Sequence, residues 1–360
     1  MKKLLRKLFN FIPIFFVVIV LNLTIDPANI FNTDYESEAA SIIVSGKNVV
    51  GMTNYDERTF QKEVMRKEEH CPNTIIAGSS RVMELSDESI EGLQNYRNMG
   101  MSGAGLYDIE GVTGLYLDRY QQLPSEVIIG LDPWMLNDNN GDERYRKLSK
   151  YIDLVDKKMT TRESRKSGAL LEKTDLLQVI SLSYFHESFN AFIKDPVLIF
   201  KTREIDYYGT NERDSESGIR YSDGSTDYPA QYKNRTIEEI NESAREYATR
   251  DVYQLEDFYG MSDSLSDRLS AYVDYLNQNG TKIEFFLPPY HPVAYELLIN
   301  NDKYCIIVDV EEYFRNLAKK KNIPIYGSYN PSRLDCVAED FLDGMHVRRD
   351  RIYKAWRLID

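Results

Sequence analysis

The stretch Thr74-Ile75-Ile76-Ala77-Gly78-Ser79-Ser80-Arg81 constrains the fold of this chain more than any other. A short β-prone run ends in a glycine, two serines and an arginine. That is how a buried strand delivers a hydroxyl to the rim of an α/β sheet. Chemistry in such sheets sits at the carboxyl ends of the strands, where loops and free helix N–H groups meet the ligand. Two more segments repeat the pattern. A short strand over 96–98 ends in Asn98-Met99-Gly100-Met101-Ser102-Gly103-Ala104-Gly105, and Glu126-Val127-Ile128-Ile129-Gly130-Leu131 ends in Asp132-Pro133-Trp134. A helix through 90–93 is expected after the serines, and apolar spacing at Leu106, Val112, Leu115 and Leu117 predicts another over 106–120. The alternation predicts an α/β fold, with a parallel sheet flanked by helices and joined by right-handed crossovers.

The same pattern resumes with a helix over 264–277 and a strand over 282–287. Pro288-Pro289-Tyr290-His291-Pro292 caps that strand at the same rim. Helices near 294–298 and 308–319, a strand over 323–326 and a last helix from about 349 complete the domain. The residues between, about 137–262, read as a helical and loop insertion. Its polar run 206–234, with Gly209, Gly218, Gly224 and Pro229, reads as a mobile lid beside the site.

At the N-terminus Lys2, Lys3, Arg6 and Lys7 precede an apolar stretch over 8–25, long enough for one membrane span. The following Asp26-Pro27 lacks the small-residue pattern of a cleavage site, so an uncleaved transmembrane helix is expected rather than a signal peptide. The basic flank stays in the cytoplasm, which predicts a single-pass protein of the cell membrane with an extracytoplasmic domain. Residues 1–30 are then flank and anchor, 31–69 a stalk on the domain edge, and 70–360 the domain. A net charge of −13 argues against nucleic acid as a partner. The 26 tyrosines suit either glycan surfaces or interior packing. Cys71, Cys305 and Cys336 have no metal-ligand spacing and read as buried apolar residues; no metal or cofactor is expected.

The chain has four histidines. His70 precedes the first strand, at the end away from the rim. His186 lies in an aromatic helical stretch and reads as packed. His291 is on the rim, where it either touches substrate or caps a helix among three prolines. His346 has Asp343 three residues before it. A carboxylate there fixes the ring tautomer and leaves the other nitrogen to take a proton from Ser79 or Ser80; the alternative is an Asp at a helix start with a chance histidine.

This block order resembles the SGNH (GDSL-like) hydrolase superfamily over most of residues 70–360, which implies a flavodoxin-like sheet. Gly78-Ser79-Ser80 resembles the Gly-Asp-Ser block, implying Ser80 as nucleophile. Gly100 resembles the second-block glycine, implying an oxyanion hole built from the N–H groups of Ser80 and Gly100. Asp343 and His346 resemble the terminal Asp-x-x-His. With its anchor, the chain is most similar to proteins of teichoic-acid D-alanylation and of alginate or other exopolysaccharide O-acetylation, which work beside a membrane-bound O-acyltransferase. Two departures matter. Ser79 stands where the wider superfamily has aspartate, as it does in the D-alanylation proteins. The third block reads Gly130-Leu131-Asp132-Pro133 instead of Gly-x-Asn-Asp. An asparagine would donate to the oxyanion, whereas ionised Asp132 would repel it, and losing one such donor costs ~10²–10³ in rate.

The resemblance implies extracytoplasmic acyl transfer, of an O-acetyl or similar group, to a cell-envelope polysaccharide or teichoic-acid-like acceptor. The alternatives are a carbohydrate esterase of the same fold and a non-catalytic glycan-binding or assembly partner of the acyltransferase. Ser79, Arg81, Asp132, Trp134, Tyr290 and His291 are the candidate substrate-binding residues. For Arg81 the role would be holding an acidic sugar or phosphate, against packing at the helix start. For Trp134 and Tyr290 it would be sugar stacking, against core packing.

Overall fold

The computed structural model describes residues 12–25, 34–159, 182–194 and 205–359. Nine strands lie among them: β1 Asn48–Val50, β2 Thr74–Ala77, β3 Tyr96–Asn98, β4 Glu126–Gly130, β5 Tyr208–Thr210, β6 Ile219–Arg220, β7 Thr226–Asp227, β8 Lys282–Leu287 and β9 Ile325–Gly327. Five form an all-parallel sheet in the spatial order β3-β2-β4-β8-β9. Counted along the chain within that sheet, the order is second, first, third, fourth, fifth. This is the flavodoxin-type order, with its crevice where the connections diverge beside the first strand.

Strand alternation sorts the apolar residues of this sheet onto two faces. Ile75, Val127, Ile129, Ile283 and Phe285 join a large cluster with the helices Leu106–Tyr120, Asp263–Gln278 and Ile306–Lys321. Ile76, Ile128 and Phe286 face the other way, onto Val82, Leu334, Phe341 and Ile352. That second face is covered partly by 3-10 turns. The expected last helix is one of them, Ile352–Lys354, and where a helix through 90–93 was expected the segment between β2 and β3 holds only the 3-10 turn Ser80–Val82. Pairing of Ile76 with Asn98, Ala77 with Ile129 and Gly130 with Phe286 brings the carboxyl ends of β3, β2, β4 and β8 to one rim.

The remaining strands form an antiparallel sheet in the order β5-β1-β6-β7. Within the expected edge segment 31–69, residues from 34 on are built into the domain, because β1 pairs with strands from 208–220, and Tyr35, Ile43, Val49, Phe60 and Tyr207 share one cluster. The expectation for 206–234 is corrected: it is not a mobile lid. Its glycines and polar residues form strands and a turn docked on the main sheet: Asn98 donates to the Asp223 carbonyl at 2.9 Å, and Thr226 to the Met83 carbonyl at 2.8 Å. Gly224 has φ +89°, and a Cβ there would lie 2.2 Å from the Asn98 carbonyl oxygen, so the turn requires glycine. Buried Arg58 and Asp108, 3.0 Å apart, tie the helix Glu57–Lys67 to the start of Leu106–Tyr120.

Much of the supposed insertion also belongs to the main core, since Ile152, Val155, Ala244 and Ala248 pack into the large cluster. Its residues 160–181 and 195–204 lie outside the described residues. At the N-terminus Ile12–Ile25 is helical, while Lys2, Lys3, Arg6, Lys7 and residues 8–11 of the expected span lie outside the described residues. Among the described residues no helix is long and apolar enough to cross a membrane. Cys336 is buried, Cys71 is half-buried and Cys305 is exposed, so Cys305 departs from the packed role expected of it.

Candidate active site

Ser80 opens its 3-10 turn just past the end of β2, with Ser79 as the cap. The Ser79 hydroxyl accepts from the Arg81 N–H at 3.1 Å and is fully buried. A Cβ on Gly130 would sit 2.1 Å from Val82 Cγ1, so glycine at the end of β4 lets the turn lie against the sheet. From the β3 side, the Asn98 amide donates to the carbonyls of Val82 at 2.8 Å and Leu85 at 3.0 Å. Ser80 alone of the two serines is left partly exposed at the rim.

His346 Nε2 lies 2.8 Å from Ser80 Oγ, and Nδ1 lies 2.9 Å from Asp343 Oδ2. Asp343 Oδ1 accepts from the backbone N–H groups of Met345 and His346, each at 2.9 Å. Leu342 N–H donates to the His346 carbonyl at 2.9 Å, so the loop carrying both residues is closed on itself. The carboxylate therefore holds Nδ1 as the donor and leaves the Nε2 lone pair facing the serine hydroxyl. Burial would raise the Asp343 pKa, but His346 and these hydrogen bonds hold it down at about 2. Burial would likewise depress the imidazole, and the adjacent Asp343 carboxylate overrides it, so the His346 pKa is raised.

The rest of the expected site is placed differently. The Ser80 N–H is one of the free groups at the start of its turn. The Gly100 N–H, however, donates to Asn98 Oδ1 at 2.9 Å and is engaged there, not open for an oxyanion. Asp132 is fully buried with Oδ1 2.7 Å from Arg81 Nη1, itself fully buried. Arg81 also donates from Nε to the Met345 carbonyl at 3.1 Å and from Nη2 to the Pro288 carbonyl at 2.5 Å, and its guanidinium lies 4.1 Å from the Tyr290 ring centre. It fastens the serine turn to the histidine loop and to the end of β8. Trp134 and Tyr290 are wholly buried, Trp134 donating from Nε1 to the Ala104 carbonyl at 3.0 Å. His291 is buried too and caps the helix Pro292–Ile299 by accepting from Val293 N–H at 3.1 Å; burial pushes its pKa down to about 4. None of the six candidate substrate contacts is exposed: a place at the rim fixes where a residue is, and apolar or ionic partners then draw its side chain inward.

Three residues at the site gave no local sequence signal. Asn98 shapes the serine turn. Tyr228 lies with its ring 5.4 Å from that of His346 and walls a cavity of about 230 Å³, together with Met83, Ser102, Tyr55 and Glu57. Glu84, just past the serine turn, is buried with neither carboxylate oxygen hydrogen-bonded among the described residues. Burial lifts its pKa from 4.5 to about 8, against the pull of His346, so it is a neutral acid at pH 7. Its proton is bound more tightly in the folded state, so stability falls as pH rises from 4.5 to about 8. That fall is at most about 1.4 kcal/mol per pH unit. Glu84→Gln is expected to flatten this slope, measured by urea unfolding across the window; an unchanged slope would place the titration elsewhere.

No protein-family model matches the chain, and no curated protein matches it.

Proposed function

We propose that this protein is a serine-dependent acyltransferase of SGNH type, moving an O-acetyl or similar acyl group onto a cell-envelope or exported polysaccharide. The observation that carries the reading is the relay from Asp343 through His346 to Ser80, with contacts of 2.9 and 2.8 Å at a flavodoxin-type rim. His346 Nε2 takes the Ser80 proton as Oγ attacks the acyl carbonyl carbon. The Ser80 N–H stabilises the oxyanion, and the donor's leaving oxygen departs with the proton from His346. An acceptor hydroxyl then gives its proton to Nε2, attacks the acyl-serine and regenerates Ser80; water in its place would make the protein an esterase. The basic N-terminal flank and the apolar helix Ile12–Ile25 support a single-pass anchor with this domain outside the cell, beside a membrane-bound O-acyltransferase that supplies the acyl group.

One observation favours a non-catalytic glycan-binding or assembly role instead. The Gly100 N–H is occupied by Asn98, and the third-block position, Asp132, is consumed by Arg81, which leaves Ser80 N–H as the identified oxyanion donor. Fluorophosphonate labelling of the full chain decides between the two. Labelling mapped to Ser80 and retained in Ser79→Ala is expected. A folded chain that takes no label would turn the assignment to the non-catalytic partner.

A further inference from the structure

The chain carries 44 lysines and arginines against 57 acidic residues, yet one cavity beside the site gathers cations. It has a volume of about 370 Å³ and is lined by Arg213, Lys233, Arg348 and Arg349, with Glu88, Asp227 and Asp350 as its acids. Leu342, at the start of the Asp343–His346 loop, also lines it, and Asp227 is shared with the cavity walled by Tyr228.

The pairing inside it is uneven. Lys233 Nζ is 2.8 Å from Asp227, and Arg348 Nε is 3.2 Å from Asp350. Asp214 also comes within 3.8 Å of Lys233, with its side chain 97% exposed to water that screens it. Among the described residues Glu88 is the one carboxylate within ion-pair distance of Arg213 and Arg349, and both guanidinium groups sit over the Tyr221 ring, 5.1 and 4.3 Å from its centre. Arg349 is held in place, with Nε on Glu88 at 3.1 Å and Nη1 on Ser225 Oγ at 2.9 Å, and its side chain is 8% exposed. Its Nη2 is buried and has no acceptor among the described residues. Of the other carboxyls nearby, Asp227 and Asp350 are paired with Lys233 and Arg348, and Glu84, as a neutral acid, does not cancel the charge.

Two guanidinium groups sharing one carboxylate leave a surplus of one positive charge, and the Nη2 donors of Arg349, on a side chain 8% exposed, are unanswered where water does not reach them. Guanidinium donors in that arrangement match the geometry of phosphate and carboxylate oxygens. We infer that this cavity is a binding site for a monoanionic oxyanion, a phosphodiester or carboxylate, with Arg349 and Arg213 as its ligands. Resting on the acyl-transfer reading, the oxyanion belongs to the acceptor polymer, whose charged substituent is held here while a neighbouring hydroxyl approaches Ser80.

The test is calorimetric titration of the full chain at low ionic strength with two probes, sn-glycero-3-phosphoglycerol for the phosphodiester and methyl galacturonoside for the carboxylate. Saturable one-to-one binding of either is expected, and the stronger probe identifies the source of the anion. Arg349→Met should weaken it about tenfold or more. Arg213→Gln, at a side chain 59% exposed and therefore safe for folding, should weaken it severalfold, while Lys150→Gln, at a lysine 61% exposed, 3.6 Å from Asp118 and outside this cavity, leaves it unchanged. Absence of binding by both probes, or equal binding to wild type and both arginine variants, overturns the site. Fluorophosphonate labelling of the wild type is run beside it. An unlabelled chain that still binds the anion through Arg349 upholds the site and overturns the acyl-transfer reading alone.

Discussion

His346→Ala is expected to lower turnover of an acetyl ester by about 10⁴-fold or more, and Asp343→Asn by a similar order. The first removes the only base within reach of Ser80 among the described histidines, at 2.8 Å. The second leaves a side chain of the same shape whose amide can donate to Nδ1, which favours the tautomer with its proton on Nε2, the nitrogen that must accept from the serine. The two substitutions separate on pH. His346 acts as a base only when neutral, and Asp343 raises its pKa, so kcat/KM in the wild type rises with pH through an acid limb placed above the ordinary histidine value of 6.5. Removing the negative charge in Asp343→Asn should move the residual limb to lower pH, because burial and Arg81 then depress the imidazole without the carboxylate that chiefly opposes them. Steady-state rates across pH for the three proteins make the comparison. Ester turnover that persists undiminished in His346→Ala would dismiss the relay.

How much of this was legible in the chain follows from the range of the interactions. Strands such as Thr74–Ala77 and Lys282–Leu287 are local apolar runs bounded by polar or turn residues, and they stand where the pattern places them. Asp343 and His346 were legible as a pair because a three-residue spacing is itself a geometric statement. The antiparallel sheet was not. Its strands are two or three residues long, and β1 meets partners about 160 and 170 residues further on, so no window of sequence holds both halves of the pairing. The serine turn failed for a related reason: Asn98, on another strand, takes the carbonyls that a following α-helix would have used. At the rim, position was readable and direction was not. Asp132 follows the end of β4, as its place in the sequence predicts, but its carboxylate is drawn to Arg81, one residue beyond Ser80.

That pair carries the largest expected stability effect. Arg81→Met removes the cation 2.7 Å from Asp132 and leaves a carboxylate sealed from water, which costs roughly 3–5 kcal/mol. Burial already pushes the Asp132 pKa up against the pull of Arg81, so the variant relieves itself only by taking up a proton, and its deficit should shrink at acid pH. The double variant Arg81→Met/Asp132→Asn removes the stranded charge and should recover at least half of the loss in urea unfolding at pH 7. What it does not recover belongs to the other contacts of Arg81, those to the Met345 and Pro288 carbonyls. The first joins the residue after Ser80 to the residue before His346 and the second ties the serine turn to the end of β8, so the double variant should fold with Ser80 and His346 no longer held in register, which slower ester turnover than wild type would report. A single variant that loses less than about 1 kcal/mol would mean that Asp132 is already neutral in the wild type. The charge at the third block would then be no obstacle to an oxyanion, and the missing asparagine would cost only its one hydrogen bond.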